Sequence, residues 1–319
     1  MKASIFSLLI FFIATSVFSQ RVPSLSENIE FLVTFSPNAP TSWGDDDFTQ
    51  IYFLSISKNY TQPFYVRIFD ADLGGKHDAA NGAFDSKTVF ELYGGNQAYS
   101  NAEARSENPE GNFDSGIKIF SEEVGVDPNY DDQWMTIGPI NPKEGEFDEA
   151  LNANVFKLII KGASGNDGNL YNFFISSSAT ANIEVPSANA FCYEMTFRVP
   201  KEANRIPHLY PFVDDKVISV RVQNFDFDGG GGLRLTSVAK NENRIKQSGD
   251  DDWAMSEHTV SEKERNTSFD IHIVNSAKFS NDMTIFVTNQ YDEVLPFFAK
   301  PINGIPKYKY KIGVSLEEK

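Results

Sequence analysis

The segment Asp70-Ala-Asp-Leu-Gly-Gly-Lys-His-Asp78 puts three carboxylates on one loop softened by two glycines. Calcium takes about six to eight oxygen ligands in flexible geometry, and alternate carboxylates on a bendable loop supply them without steric conflict. The loop follows Phe64-Tyr-Val-Arg-Ile-Phe69, a strongly β-patterned run, and strand alternation places Asp70 and Asp72 on one side. Asp70, Asp72 and Asp78 are the expected main ligands, with Asn81 and Asp85 following. An EF-hand is excluded, because Asn81 falls where the bidentate Glu belongs and no helices flank the loop. A second loop, Asp226-Phe-Asp-Gly-Gly-Gly-Gly232, offers Asp226 and Asp228 on a more flexible backbone, although a plain hairpin uses the same residues.

Further acidic groups stand at Asp45-Asp-Asp47, Asp131-Asp132, Asn166-Asp-Gly-Asn169, Asp214-Asp215 and Asp250-Asp-Asp252. Like charges packed this closely are relieved by a cation or by water, and most of these groups are expected to be solvated turns. Trp43, Trp134 and Trp253 each adjoin acids rather than apolar runs. An exposed indole in that setting stacks on sugars, which makes Trp43 and Trp253 candidate ligand-binding residues; capping a core is the plainer role. His77, His208, His258 and His272 are scattered, and the chain has no His-Glu-x-x-His helix, Gly-x-Ser-x-Gly elbow or P-loop. No catalytic residue is assigned. Paired carboxylates for glycoside hydrolysis need no linear signature, so a secreted hydrolase stays as a distant alternative.

The elements that carry these loops are short runs with period-two alternation, rich in Phe, Ile, Val, Tyr and Thr. They include Ile51–Ser57, Phe64–Phe69, Val155–Ile160, Tyr171–Ile175, Phe191–Val199, Val217–Val222, Leu233–Val238, Phe269–Val274 and Met283–Thr288. Turn-forming Gly, Pro, Asn and Asp clusters separate them, and only a short helix near Asn101–Ser106 is expected. The pattern predicts an all-β protein of two antiparallel β-sandwich modules, the larger jelly-roll-like and the smaller immunoglobulin-like. The polar, Pro-bounded segment Pro200–Pro207 is the expected boundary, giving modules at 20–203 and 204–303, with residues 304–319 as a final strand or tail. One internal echo links Val66–Gly75 to Val220–Gly230, and another links Trp43–Asp47 to Gly249–Trp253. Their order is reversed between the halves, which speaks against a simple duplication.

Residues 1–19 read as a signal peptide: Lys2, an apolar core from Ile5 to Ile13, and Val17 and Ser19 before a cut at Gln20. No later run is long and apolar enough to span a bilayer, so no transmembrane segment is expected in the mature chain. Cys192 is the sole cysteine, which rules out an intramolecular disulfide; its alternating surroundings suggest a buried small hydrophobe. A formal net charge of −16 argues against nucleic acid as a partner.

The signal ending Val17-Phe-Ser-Gln20, the high Phe and Asn content and the Asp-rich loops resemble secreted proteins of the Bacteroidetes type. The Asp70-Ala-Asp72-Leu-Gly-Gly75 loop resembles those of C2-like and prepeptidase C-terminal β-sandwich modules, which hold calcium between strands. The resemblance implies a periplasmic, outer-membrane-peripheral or extracellular protein. The expected function is thus a non-catalytic exported envelope or interaction protein with calcium-stabilised loops, whose partner is a protein or glycan of the cell envelope. A glycan-binding module is the first alternative.

Overall fold

The computed structural model describes residues 20–202, 204–228, 230–276 and 281–304. The expected signal peptide, and the tail from residue 305, lie outside them. The first half runs through β1 (Arg21–Val22), β2 (Leu32–Phe35), β3 (Thr49–Ser57), β4 (Phe64–Phe69), β5 (Lys87–Gly94), β6 (Ile117–Val124), β7 (Trp134–Ile140), β8 (Glu146–Asp148), β9 (Ala153–Ser164) and β10 (Gly168–Ser176). The remainder comprises β11 (Asn189–Cys192), β12 (Glu194–Val199), β13 (His208–Leu209), β14 (Phe212–Val213), β15 (Ser219–Phe225) and β16 (Gly231–Thr236). After these come β17 (Asn243–Ile245), β18 (Trp253–Thr259), β19 (Thr267–Ser268), β20 (Asp270–Asn275), β21 (Asn281–Asn289) and β22 (Phe297–Phe298). The described helical segments are short 3₁₀ turns, one of them Ala102–Arg105, capped by the Asn101 side chain.

Both halves solve the packing problem in the same way. In the first, β2-β10-β4-β7 form one sheet and β3-β9-β5-β6 the other; in the second, β12-β21-β15-β18 and β13-β20-β16-β17 do so. Counting these strands in chain order within each half, both halves follow 1-8-3-6 and 2-7-4-5. That is the eight-strand jelly roll. The smaller module is therefore not immunoglobulin-like: it repeats the larger one in shortened form, with β14 and β19 extending the β13–β20 pair.

The segment at 200–207 is a loop, yet the strands on either side of it join. β12 lies antiparallel to β2 at Phe197 and Leu32, and the Arg198 N–H donates to the Phe31 carbonyl at 3.1 Å. The two four-stranded sheets thus fuse, with β1, into one sheet of nine strands. The run Asn189–Val199 begins in the seven-stranded sheet, breaks at Tyr193 and continues in the nine-stranded one. From the far end of the chain, β22 returns to pair with β11. One contiguous core includes Tyr52, Phe156, Phe173, Phe197, Leu233 and Ile285, and so runs through both halves. A second core covers the outer face of β3 and β9, where Phe53 and Ile159 meet Ala98, Tyr99 and Phe113. This is why β3 is buried on both faces. Cys192 is buried in the main core, and burial pushes its thiol pKa well up.

Glu27 ties the halves together through its carbonyl, which accepts the His208 N–H at 2.8 Å. Its side chain is fully buried, and only one oxygen is bonded, to the Ser24 N–H at 2.5 Å. Burial raises its pKa from 4.5 to about 7. Between those values the folded chain holds a proton that the unfolded chain has lost, so this group's contribution is complete below pH 4.5 and disappears as pH rises through 7. Glu27→Gln keeps the acceptor for Ser24 and removes the titration. Its expected effect is a gain of up to about 3 kcal/mol at pH 8 relative to the wild type, and little at pH 4, measured by urea unfolding.

Candidate metal centres

At the end of β4 the chain turns through Asp70 with φ +60°, a left-handed conformation rarely adopted by non-glycine residues. The Asp70 N–H donates to the Gln133 carbonyl at 2.9 Å, and its Oδ1 accepts the Asp132 N–H at 2.7 Å. Asp72 Oδ2 accepts the Asp127 N–H at 3.3 Å. Asp70 and Asp72 are 0% and 1% exposed, and their other oxygens, Asp70 Oδ2 and Asp72 Oδ1, have no hydrogen-bond partner. Asp131 supplies the third carboxylate: one oxygen from each of the three lies within 4.8 Å of the others. Gly75 makes room for it, since a Cβ there would stand 2.3 Å from Asp131 Oδ1. Burial, with neighbouring carboxylates adding to it, raises the Asp72 pKa to about 6 and that of Asp70 above its usual value.

The same construction recurs at the end of β15. Asp226 takes φ +57°, its N–H reaches the Asp252 carbonyl at 3.3 Å, and its Oδ1 accepts the Asp251 N–H at 2.7 Å. Its buried Oδ2 is without a partner, and one oxygen from each of Asp226, Asp228 and Asp250 lies within 4.8 Å of the others. Burial pushes the Asp226 pKa up to about 7. In each half the site lies where the third strand of the jelly roll ends beside the start of the sixth. Phe69 is paired with Trp134 in one, and Phe225 with Trp253 in the other. Asp70, Asp72, Asp131 and Asp132 therefore correspond to Asp226, Asp228, Asp250 and Asp251.

This geometry revises the internal echo. The partner of Gly249-Asp-Asp-Asp-Trp253 is Asp131-Asp-Gln-Trp134, not Trp43–Asp47, and the two elements keep one order in both halves. The converging acids Asp131 and Asp250 carry a readable signal: an Asp-Asp-x-Trp run downstream of each Asp-x-Asp loop. Asp78 does not join the converging oxygens. Its Oδ2 accepts the Gly74 N–H and its Oδ1 the Leu170 N–H, both at 2.7 Å, so it pins the loop to β10. Burial raises its pKa to about 8. Asn81 and Asp85 also stay apart, their N–H groups donating to Asp167.

Trp43 packs against Phe35 with ring centroids 5.8 Å apart, beside a small core cluster. Trp253 lies between Phe225 and Phe286, at 5.0 and 5.4 Å, and lines a cavity at the junction of the two halves. The histidines are less scattered than their spacing suggests. His208 Nδ1 and His272 Nε2 each lie 2.9 Å from a different oxygen of Asp270, and the three ligand atoms lie within 4.8 Å of one another. Both Asp270 oxygens are thereby engaged, which sets this triad apart from the two carboxylate sites. No protein-family model matches the chain, and no curated protein matches it significantly.

Asp78→Ala should cost roughly 2–4 kcal/mol in chelator and in calcium alike, because it strands two backbone donors. Asp72→Asn should leave stability in chelator unchanged or higher, since it relieves a buried charge. Urea unfolding with and without chelator checks both; loss of cation binding by Asp78→Ala with unchanged stability in chelator would reverse these roles.

Proposed function

We propose that the chain is a non-catalytic, exported interaction protein of the cell envelope whose two jelly rolls each hold a calcium ion at the end of the third strand. The observation that carries this reading is the pair of three-carboxylate clusters, Asp70 with Asp72 and Asp131, and Asp226 with Asp228 and Asp250, in which Asp70 Oδ2, Asp72 Oδ1 and Asp226 Oδ2 are buried without a hydrogen-bond partner. A carboxylate withdrawn from water without a donor is costly, and a cation removes that cost. All-oxygen donor sets on loops suit calcium, while magnesium demands a stricter octahedron and retains more of its water. Each ion would cross-link the end of one strand to the start of its paired neighbour. Export is supported by the pattern of residues 1–19, and the envelope setting by the resemblance of the Asp70–Gly75 loop to calcium-holding secreted modules.

Calorimetry on the chelator-treated protein should show two calcium equivalents. Asp70→Asn with Asp72→Asn should remove one, and Asp226→Asn with Asp228→Asn the other. At a hundredfold excess over the dissociation constant, a single site contributes about 2.7 kcal/mol, a rise in Tm of roughly 5–10 °C. Absence of a saturable shift, or a shift untouched by both pairs of substitutions, refutes the assignment.

A further inference from the structure

Where the two jelly rolls meet, a cavity of about 160 Å³ is lined by Asp46, Asp47 and Glu107 from one half and by Glu194, Trp253 and Phe286 from the other, Glu194 being paired with Phe286 across β12 and β21. Glu194 opens β12, immediately after the chain has crossed from one sheet to the other. It is 8% exposed, and its carboxylate has no hydrogen-bond or ion-pair partner among the described residues. Asp47 presents a buried Oδ2 that is likewise without a partner. Burial raises the pKa of Glu194, and the negative charges of Asp47, Asp45, Asp46 and Glu107 raise it further. Neighbouring Asp45 is satisfied, by the Asp47 N–H at 3.2 Å and Gln50 Nε2 at 3.4 Å, and so belongs to the wall. The nearby cation Arg105 stacks over Tyr99 at 5.4 Å and lines the adjoining cleft of about 470 Å³, not this cavity. That cleft shares Glu107 with the cavity and adds Asp214, Asp292 and Glu293.

The lining chooses among ligand classes. A bare metal ion is a poor fit, because these acids are not among the groups whose oxygens converge within 4.8 Å, and the volume is many times the roughly 10–15 Å³ that one water needs. A neutral sugar would leave the buried negative charge uncompensated. An organic cation meets both demands: it spreads positive charge over several separated carboxylates, and its flat or methylene-bearing surface lies against the indole of Trp253, an attraction between cation and ring.

We propose that this junction pocket receives the guanidinium or ammonium end of an Arg or Lys side chain presented by a protein partner. The proposal rests on the interaction-protein reading and is independent of the calcium sites. Both halves must contribute, because Asp46, Asp47 and Glu107 come from one jelly roll and Glu194 with the aromatic wall from the other.

The test titrates the full-length protein, in chelator and again in calcium, with N-acetyl-arginine amide, N-acetyl-lysine amide and the neutral isostere N-acetyl-citrulline amide, following tryptophan fluorescence and heat. The expected result is saturable binding of the arginine or lysine probe, weakened by salt, with no binding of the citrulline probe. Glu194→Gln should weaken it about tenfold or more while raising Tm, because it removes a buried charge. Trp253→Phe should abolish the fluorescence response. Equal binding of the arginine and citrulline probes, affinity unchanged in both Glu194→Gln and Asp47→Asn, or binding of an oligosaccharide but neither cationic probe would overturn the proposal. The calcium-induced Tm shift, read on the same samples, reports separately on the metal sites: its loss with cation binding intact removes only those sites.

Discussion

A carboxylate withdrawn from water must be met by N–H or O–H donors, by a proton or by a cation, and the buried acids of this chain divide along those lines. Asp167 takes the first course: it collects the N–H groups of Asn81 and Asp85 and the Ser86 hydroxyl, and these hold its pKa below the usual value against the opposing pull of burial. Asp78, with two backbone donors, is also built into the frame. Glu27 stands alone with one bonded oxygen, and a proton is enough to settle it. Asp70 with Asp72 and Asp131, and Asp226 with Asp228 and Asp250, differ in that their oxygens converge. Neutralising one of them still leaves a neighbour exposed to the same penalty, whereas one divalent ion answers all three.

The jelly roll explains why the acids meet where they do. Its third and sixth strands are paired, so the exit from one lies beside the entrance to the other. An Asp-x-Asp at the first and an Asp-Asp at the second are forced into proximity. The hydrogen bonds from the Asp132 N–H to the Asp70 carboxylate and from the Asp251 N–H to the Asp226 carboxylate lock that approach in both halves. With β2 and β12 joined, the fold also brings Glu194, Trp253 and Phe286 of one module against Asp47 of the other. A site at such a junction belongs to neither module alone.

Much was legible in the sequence where the code is local. Phe64–Phe69 is a strand with the bounds its alternation predicts, and Cys192 is the buried hydrophobe its flanks suggest. The first two carboxylates of each site, Asp70 with Asp72 and Asp226 with Asp228, were recognisable as an Asp-x-Asp following such a run. Asp78 shows the limit of a local code, since proximity in sequence does not tell an outward carboxylate from a side chain turned back to the backbone. The reversed echo failed for a related reason: Trp43–Asp47 matches by composition, but Trp134 is the residue that occupies the equivalent place in the sheet.

By itself the sequence determined the strands, the all-β class, the acidic surface and the loops from which cation ligands would come, because period-two alternation and turn residues act over only a few positions. Tertiary structure alone decided that the smaller half repeats the larger, that Asp131 and Asp250 complete the sites, that His208 meets His272, and that Glu194 faces Trp253. Each of these depends on strands pairing across long stretches of chain, as when the Asp132 N–H reaches Asp70 over 62 residues. Such pairing is selected by the burial of the whole core, which no short window of residues contains.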